Sequence, residues 1–182
     1  MGKIKNYLRN IYRLALPAEK QENLVWKEVL SFFEKEGWPV RLYEDRKIAA
    51  IRLPLSRDRD REFFFGISEH NFFCMVDVVS GFPDAVINDL FILATHYNNI
   101  LNEGSVQVGV EERNVLFTAT IQVIIPLLYR GVIEDQIFRH VSAAEDAFDI
   151  FEKLVYDGEE PAIIMADLYL KSKERSERES VQ

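Results

Sequence analysis

The spacing of apolar residues changes character several times along the chain, and each change marks an element. Ile4, Leu8, Ile11 and Ala15 recur at helical intervals, with Lys3, Lys5, Arg9 and Arg13 elsewhere. This predicts a short basic amphipathic helix over residues 2–15, ended by Pro17. Val25, Val29, Phe32 and Phe33 predict a second helix over 19–36, with Gly37 as its left-handed cap. The period then falls to two. Residues 38–43 and 47–55 read as strands around the tight turn Glu44-Asp45-Arg46, since Ala49, Ile51 and Leu53 alternate with Arg52. Residues 62–68, with Phe63, Phe65 and Ile67 on one face, and 72–79 follow as two more strands around Glu69-His70-Asn71.

Gly81-Phe82-Pro83-Asp84 breaks this meander, and Pro83 suits the first position of a helix running to Leu101. Gly104 opens a second hairpin, residues 105–110 and 115–125 around Glu111 to Asn114. Pro126 is expected to turn the chain beyond it. Ile137, Val141, Ala144, Phe148, Phe151 and Val155 advance in alternating steps of four and three, which predicts a helix over 134–156 with Glu134 and Asp135 at its dipole-positive end. Gly158 stops it, and Pro161 begins a last helix in which Ile164, Met165 and Leu168 can pack. The alternating charges of residues 171–180 offer no apolar face, so this tail is expected to fray.

The order α-α-ββββ-α-ββ-α-α, with tight turns inside each strand group, predicts an α+β domain whose antiparallel sheet is covered by helices. Residues 1–18 form the basic helix, 19–158 a single domain, and 159–182 the last helix and charged tail. One part of this plan leaves apolar surface over. Leu90-Phe91-Ile92-Leu93-Ala94 encircles a helix axis. If Leu90, Ala94, Tyr97 and Leu101 lie on the sheet, Phe91 or Ile92 needs another cover. Ile125, Leu127, Leu128 and Tyr129 extend beyond a natural strand length and pose the same question. Either the terminal helices or a second subunit covers these residues; in the second case Phe91, Ile92, Ile125, Leu127, Leu128 and Tyr129 form a dimer or peptide-binding interface.

Composition narrows the classes. With 48% apolar and 29% charged residues, the chain has the balance of a globular protein. Thirty acidic against 22 basic residues, a net charge of -8, oppose a general affinity for nucleic acid or anionic lipid. The single cysteine, Cys74, allows no internal disulfide and leaves no zinc-ligand spacing, so a cytoplasmic location is expected. The longest apolar run, Val123 to Tyr129, is far short of a membrane span, and the start of the chain lacks a signal-peptide core.

Motifs for chemistry are missing. There is no phosphate loop, dinucleotide fingerprint, G-x-S-x-G elbow or H-E-x-x-H, and His70, His96 and His140 have no metal-ligand partner at local spacing. No catalytic residue, cofactor or metal is therefore assigned. His96 shares a helix face with Asp89, Ile92 and Asn99 and reads as solvated or partly packed; Cys74 reads as a buried, inert thiol. Asp77, in an apolar strand, must face solvent, pair with a base such as Arg52, or serve a site. Glu145, Asp146, Asp149 and Glu152 read as a solvated helix face. Arg57, Arg59 and Arg61 are spaced two apart, but Asp58 and Asp60 blunt them as an anion site.

The segment from Asn102 to Ile121, NEGSVQVGVEERNVLFTATI, follows Asn98, Asn99 and Leu101; Gly37-Trp38 and Ile51-Arg-Leu-Pro-Leu55 stand earlier. A glycine-led strand, an acidic turn and a strand ending in a Thr step, after a helix rich in Leu and Asn, resemble the YbjN-like family over residues 19–156. A related cyanobacterial family of unknown function is similar too. YbjN-like domains are similar in fold to type III secretion chaperones. The resemblance therefore implies a chaperone-like module that commonly dimerises and binds protein segments without catalysis. The first reading is such a non-catalytic protein-binding module, expected as a homodimer with a protein or peptide partner. The alternatives are a ligand-binding protein or enzyme with a dispersed site at Tyr43, Arg52, Asp77 or His96, and a membrane-peripheral factor using Lys3, Lys5, Arg9 and Arg13, for which membrane contact is disfavoured.

Overall fold

A computed structural model of the protein describes residues 9–55, 59–129 and 131–179. It is α+β, with six antiparallel strands in the order β1-β2-β3-β4-β6-β5. The residues group into two compact units: one up to Met75 with Ala119–Val141, the other Val76–Thr118 with the chain from Ser142 onward.

In the first unit, residues 9–14 are helical (α1). The Gln21 side-chain amide donates to the carbonyls of Leu14 (3.1 Å) and Leu16 (2.9 Å), satisfying acceptors that the end of α1 leaves open. Helix α2, Ala18–Glu36, buries Val25, Val29, Phe32 and Phe33, and Gly37 closes it at φ 67°. Strands β1 (Val40–Tyr43) and β2 (Ile48–Leu55) pair with Tyr43 opposite Ile48 around a 3-10 turn at Glu44–Arg46. Strand β3, Arg59–Ser68, starts three residues earlier than the apolar alternation predicts, because β2 supplies pairing partners out to Leu55. Strand β4 is Asn71–Ser80. The β3–β4 turn places both Glu69 and His70 at positive φ, and the His70 carbonyl accepts from the Val123 amide at 3.0 Å. In this unit's core Phe65 stacks on Phe72 at 6.3 Å and meets the tilted Phe33 ring at 5.4 Å, with Phe72 against buried His140.

In the second unit, Pro83 is extended (ψ 159°) and a 3-10 turn at Asp84–Val86 intervenes before helix α3, Ile87–Ile100. Pro83 is therefore not the first helical residue, since its ψ lies outside the helical range. Strands β5 (Ser105–Gly109) and β6 (Asn114–Gln122) pair with Val108 opposite Val115. Asn98 fastens α3 to β5 by accepting from the Val106 amide (2.7 Å) and donating to its carbonyl (2.9 Å). The buried Tyr97 ring meets Phe151 edge-on at 5.9 Å, and its hydroxyl donates to the Ala143 carbonyl at 3.0 Å.

Three further boundaries differ from the sequence expectation. Strand β6 ends at Gln122, and residues expected to continue it form a helix, α4, Ile124–Leu128, with Pro126 inside its first turn. Proline is tolerated there because first-turn amides have no intrahelical acceptor. Helix α5, Val132–Glu152, gives way to a π-helical turn at Lys153–Asp157 before Gly158 (φ 68°). Helix α6, Pro161–Glu179, runs through the charged segment expected to fray, whose Lys, Arg and Glu residues are good helix formers with opposite charges at short helical spacings.

Candidate functional site

In the second unit, α3 divides its apolar run. Leu90, Leu93, Ala94 and Tyr97 are buried, while Phe91 and Ile92 remain 45% and 47% exposed. The geometry requires this division: at about 100° per residue, five consecutive apolar side chains span more than one face. Helix α6 packs on α3 and buries Ile164 and Leu168, but leaves Ile163, Tyr169 and Leu170 exposed. His96 Nδ1 and the Tyr169 hydroxyl lie 2.6 Å apart, with the rings edge-on at 5.9 Å. His96 is thus partly packed, one of the two states expected of it. The last helix meets α3 without covering Phe91 or Ile92.

In the first unit, α4 divides its run differently. Pro126 and Leu127 are buried, Leu128 is half-buried, and Ile125 and Tyr129 are exposed. Helical spacing explains this: Ile125 and Tyr129, four apart, share one side, and Leu127 turns inward. Leu127, expected at an interface, is instead a core residue, because the predicted extended segment has become a helix. The α4 carbonyls are capped from α1: Arg13 Nη1 donates to Leu127 O at 2.9 Å and Asn10 Nδ2 to Leu128 O at 3.4 Å. Arg13 thereby places a cation at a helix C-terminus, where the dipole favours it. Ile11, Tyr12 and Leu14 of α1 remain exposed. Lys3 and Lys5 lie outside the described residues, as do Arg57 and Asp58.

The polar residues considered for a dispersed site have separate neighbours. Arg41 lies over the Tyr43 ring at 5.5 Å and bonds Glu62 at 2.8 Å; Arg52 is 3.7 Å from the same carboxylate. Tyr43 sits opposite Ile48, four residues from Arg52, a separation of about 13 Å along the strand. Asp77 is exposed and accepts from Asn114 Nδ2 at 2.7 Å, so its partner is a neighbouring-strand amide and not Arg52. Glu22 accepts from Lys47 at 2.9 Å and lies 3.7 Å from His70. The Lys47 hydrogen bond and charge, with the charge of His70, hold the Glu22 carboxyl below the usual carboxylate range against the opposing effect of burial. Cys74 is fully buried, and burial pushes its thiol up. Among the described residues no three His, Cys, Asp or Glu side chains are grouped to hold a metal ion, and no helix is long and apolar enough to cross a membrane.

Of the acidic set on α5, Asp149 is exposed and Glu145 and Asp146 are half-buried, but Glu152 is fully buried. Glu152 is four residues after Phe148 and shares its inward side, which corrects the expectation of a wholly solvated face.

Comparison with solved structures places the fold. A chain of the ExsC–ExsE complex superposes with a TM-score of 0.51 at 14% identity, covering 70% of this chain and 93% of that one. A chain of the heterodimeric ExoU–SpcU complex from the type III secretion system of Pseudomonas aeruginosa gives a TM-score of 0.42 at 14% identity, covering 70% of this chain and 97% of that one. The α+β fold, with its six-stranded antiparallel sheet, is thus similar to that of the chain from the ExsC–ExsE complex. No protein-family model matches the chain, and no curated protein matches it. The exposed residues of α6 escaped the sequence reading, which singled out Ile164, Met165 and Leu168. Their signal was available: Ile163 and Leu170, seven apart, define a second apolar line beside the buried one.

Proposed function

We propose that the chain is a non-catalytic, chaperone-like protein-binding module that works in the cytoplasm and self-associates as a homodimer. The observation that carries this reading is Phe91 and Ile92, about half exposed on a helix that packs through Leu90, Leu93, Ala94 and Tyr97, in a fold shared with a chain of the ExsC–ExsE complex. That relative is solved with a protein partner, and the YbjN-like resemblance of residues 102–121 supports the same role. A single buried cysteine suits a reducing compartment. Phe91 and Ile92 are the partner surface; Ile125 and Tyr129, with half-buried Leu128, are the dimer surface.

The test is copurification from the cell of origin, natural chain against Phe91→Asp/Ile92→Asp, with circular dichroism confirming that the variant folds. Loss of a stoichiometric protein from the variant is expected. Equal retention by both, or no retained protein, would refute the assignment. Light scattering tests the second surface: Ile125→Asp/Tyr129→Asp is expected to halve the solution mass, and a natural chain already monomeric would end the dimer reading.

A further inference from the structure

An amphipathic helix on a folded domain ordinarily buries its apolar stripe and turns its polar side to water. Helix α1 does the reverse. Its half-buried polar side chains Asn10 and Arg13 reach inward to the carbonyls of Leu128 (3.4 Å) and Leu127 (2.9 Å). Ile11, two residues before Arg13 and so on the opposite side of the axis, is 47% exposed, and its neighbour Tyr12 is 65% exposed. Leu14 is exposed as well, while its carbonyl is held by the Gln21 amide.

The sequence extends this pattern. In the helical repeat predicted for 2–15, Ile4 and Leu8 continue the line of Ile11, and Lys3 and Lys5, which lie outside the described residues, fall on its two sides. Residues 1–18 carry four cations and no carboxylate. The unit that contains α1 holds 16 basic and 13 acidic residues, net +3, in a chain whose total is -8. The negative charge that opposes anionic lipid for the chain as a whole therefore belongs to the other unit, and at physiological salt charges act over only about 8 Å.

These observations select the occupant. Residues 9–14 span about 9 Å, a small part of the roughly 800 Å² per side that a specific protein interface needs, whereas a bilayer surface takes apolar side chains one at a time. A second copy placing α1 against α1 would bring two cationic segments together. Nucleic acid offers the charge but no apolar layer for Ile11 and Leu14. Anionic lipid offers both, and a tyrosine such as Tyr12 suits the boundary between headgroups and acyl chains.

We propose that α1 docks on an anionic lipid surface, with Ile11, Tyr12 and Leu14 entering the headgroup–acyl boundary and Lys3 and Lys5 drawn to the lipid phosphates. This goes beyond the protein-binding reading and does not depend on it.

The test is flotation of the full chain with vesicles of phosphatidylcholine alone and of phosphatidylcholine with about one-third phosphatidylserine. The natural chain is expected to bind the anionic vesicles at least about tenfold more tightly, an advantage that shrinks as salt rises to about 0.5 M. Ile11→Ser/Tyr12→Ser, at exposed positions, and Lys3→Glu/Lys5→Glu, both checked for folding by circular dichroism, are each expected to weaken that binding about tenfold or more. A Tyr12→Cys chain labelled with an environment-sensitive fluorophore, Cys74 being buried, is expected to shift its emission to the blue when anionic vesicles are added. Absence of flotation, equal flotation with both vesicles, an unshifted label, or binding that survives Ile11→Ser/Tyr12→Ser overturns the inference. So does a lower solution mass of that variant without lipid, which would put a second copy on α1, or its loss of a protein that the natural chain retains, which would put a partner there.

Discussion

Replacing Leu127 by alanine separates its role in the core from a role at an interface. Leu127 is 2% exposed, and its neighbour Ile125 is 38% exposed on the same short helix. Truncating Leu127 removes three buried carbons, and at about 0.8 kcal/mol each plus a cavity contribution the loss is about 3 kcal/mol. Ile125→Ala already exposes much of what it deletes, so its cost is about 1 kcal/mol or less. Urea titration followed by tryptophan fluorescence reads this directly, because Trp26 and Trp38 belong to the unit that holds α4. With a denaturant slope of about 2 kcal/mol per molar, Leu127→Ala should lower the midpoint by about 1.5 M and Ile125→Ala by about 0.5 M or less. Equal midpoints, or a Leu127→Ala cost below about 1 kcal/mol, would refute the packing of α4 described above.

Three other consequences follow from local geometry. Gly104 has φ 84°, and a Cβ there would stand 2.7 Å from the Thr118 carbonyl, so Gly104→Ala should cost about 3 kcal/mol, against about 1 kcal/mol for Gly158→Ala, whose Cβ meets nothing; equal thermal shifts would contradict this. The Glu22 carboxyl is depressed in the folded chain, so its stabilisation is complete above the ordinary value of 4.5 and is lost as pH falls through the lower folded value. Lys47→Met should therefore be less stable than the natural chain near neutrality, with the gap closing below about pH 4.5; a gap independent of pH would refute the coupling. Cys74, buried with its thiol pushed up, should react with a disulfide reagent only as fast as the chain opens, and rapid stoichiometric labelling of the native protein would contradict its burial.

Periodicity made most of the fold legible, and failed where a residue type has two readings. Val25, Val29, Phe32 and Phe33 announced α2, and Phe63, Phe65 and Ile67 announced the inner face of β3, because a single core contact sets each period. Pro126 reads as a chain reversal in a strand and as an ordinary first-turn residue in a helix; only tertiary packing chose the second, and with it Leu127 moved from surface to core. The exposure of Phe91 and Ile92 was legible because five apolar residues exceed one helix face. The partners of the polar residues were not. Asp77 meets Asn114, 37 positions away, and His96 meets Tyr169, 73 positions away, and no local spacing encodes such pairs. The helical course of residues 171–179 was missed because a segment without an apolar face gives no period, although its residues favour a helix.

Native mass spectrometry of the chain purified from its own cells tests the binding role most directly, with Phe91→Asp/Ile92→Asp as the paired sample. The account predicts a species heavier than any assembly of this chain alone, containing one further protein, that disappears in the folded variant. A natural chain and a variant of identical mass, both free of any second protein, would contradict it.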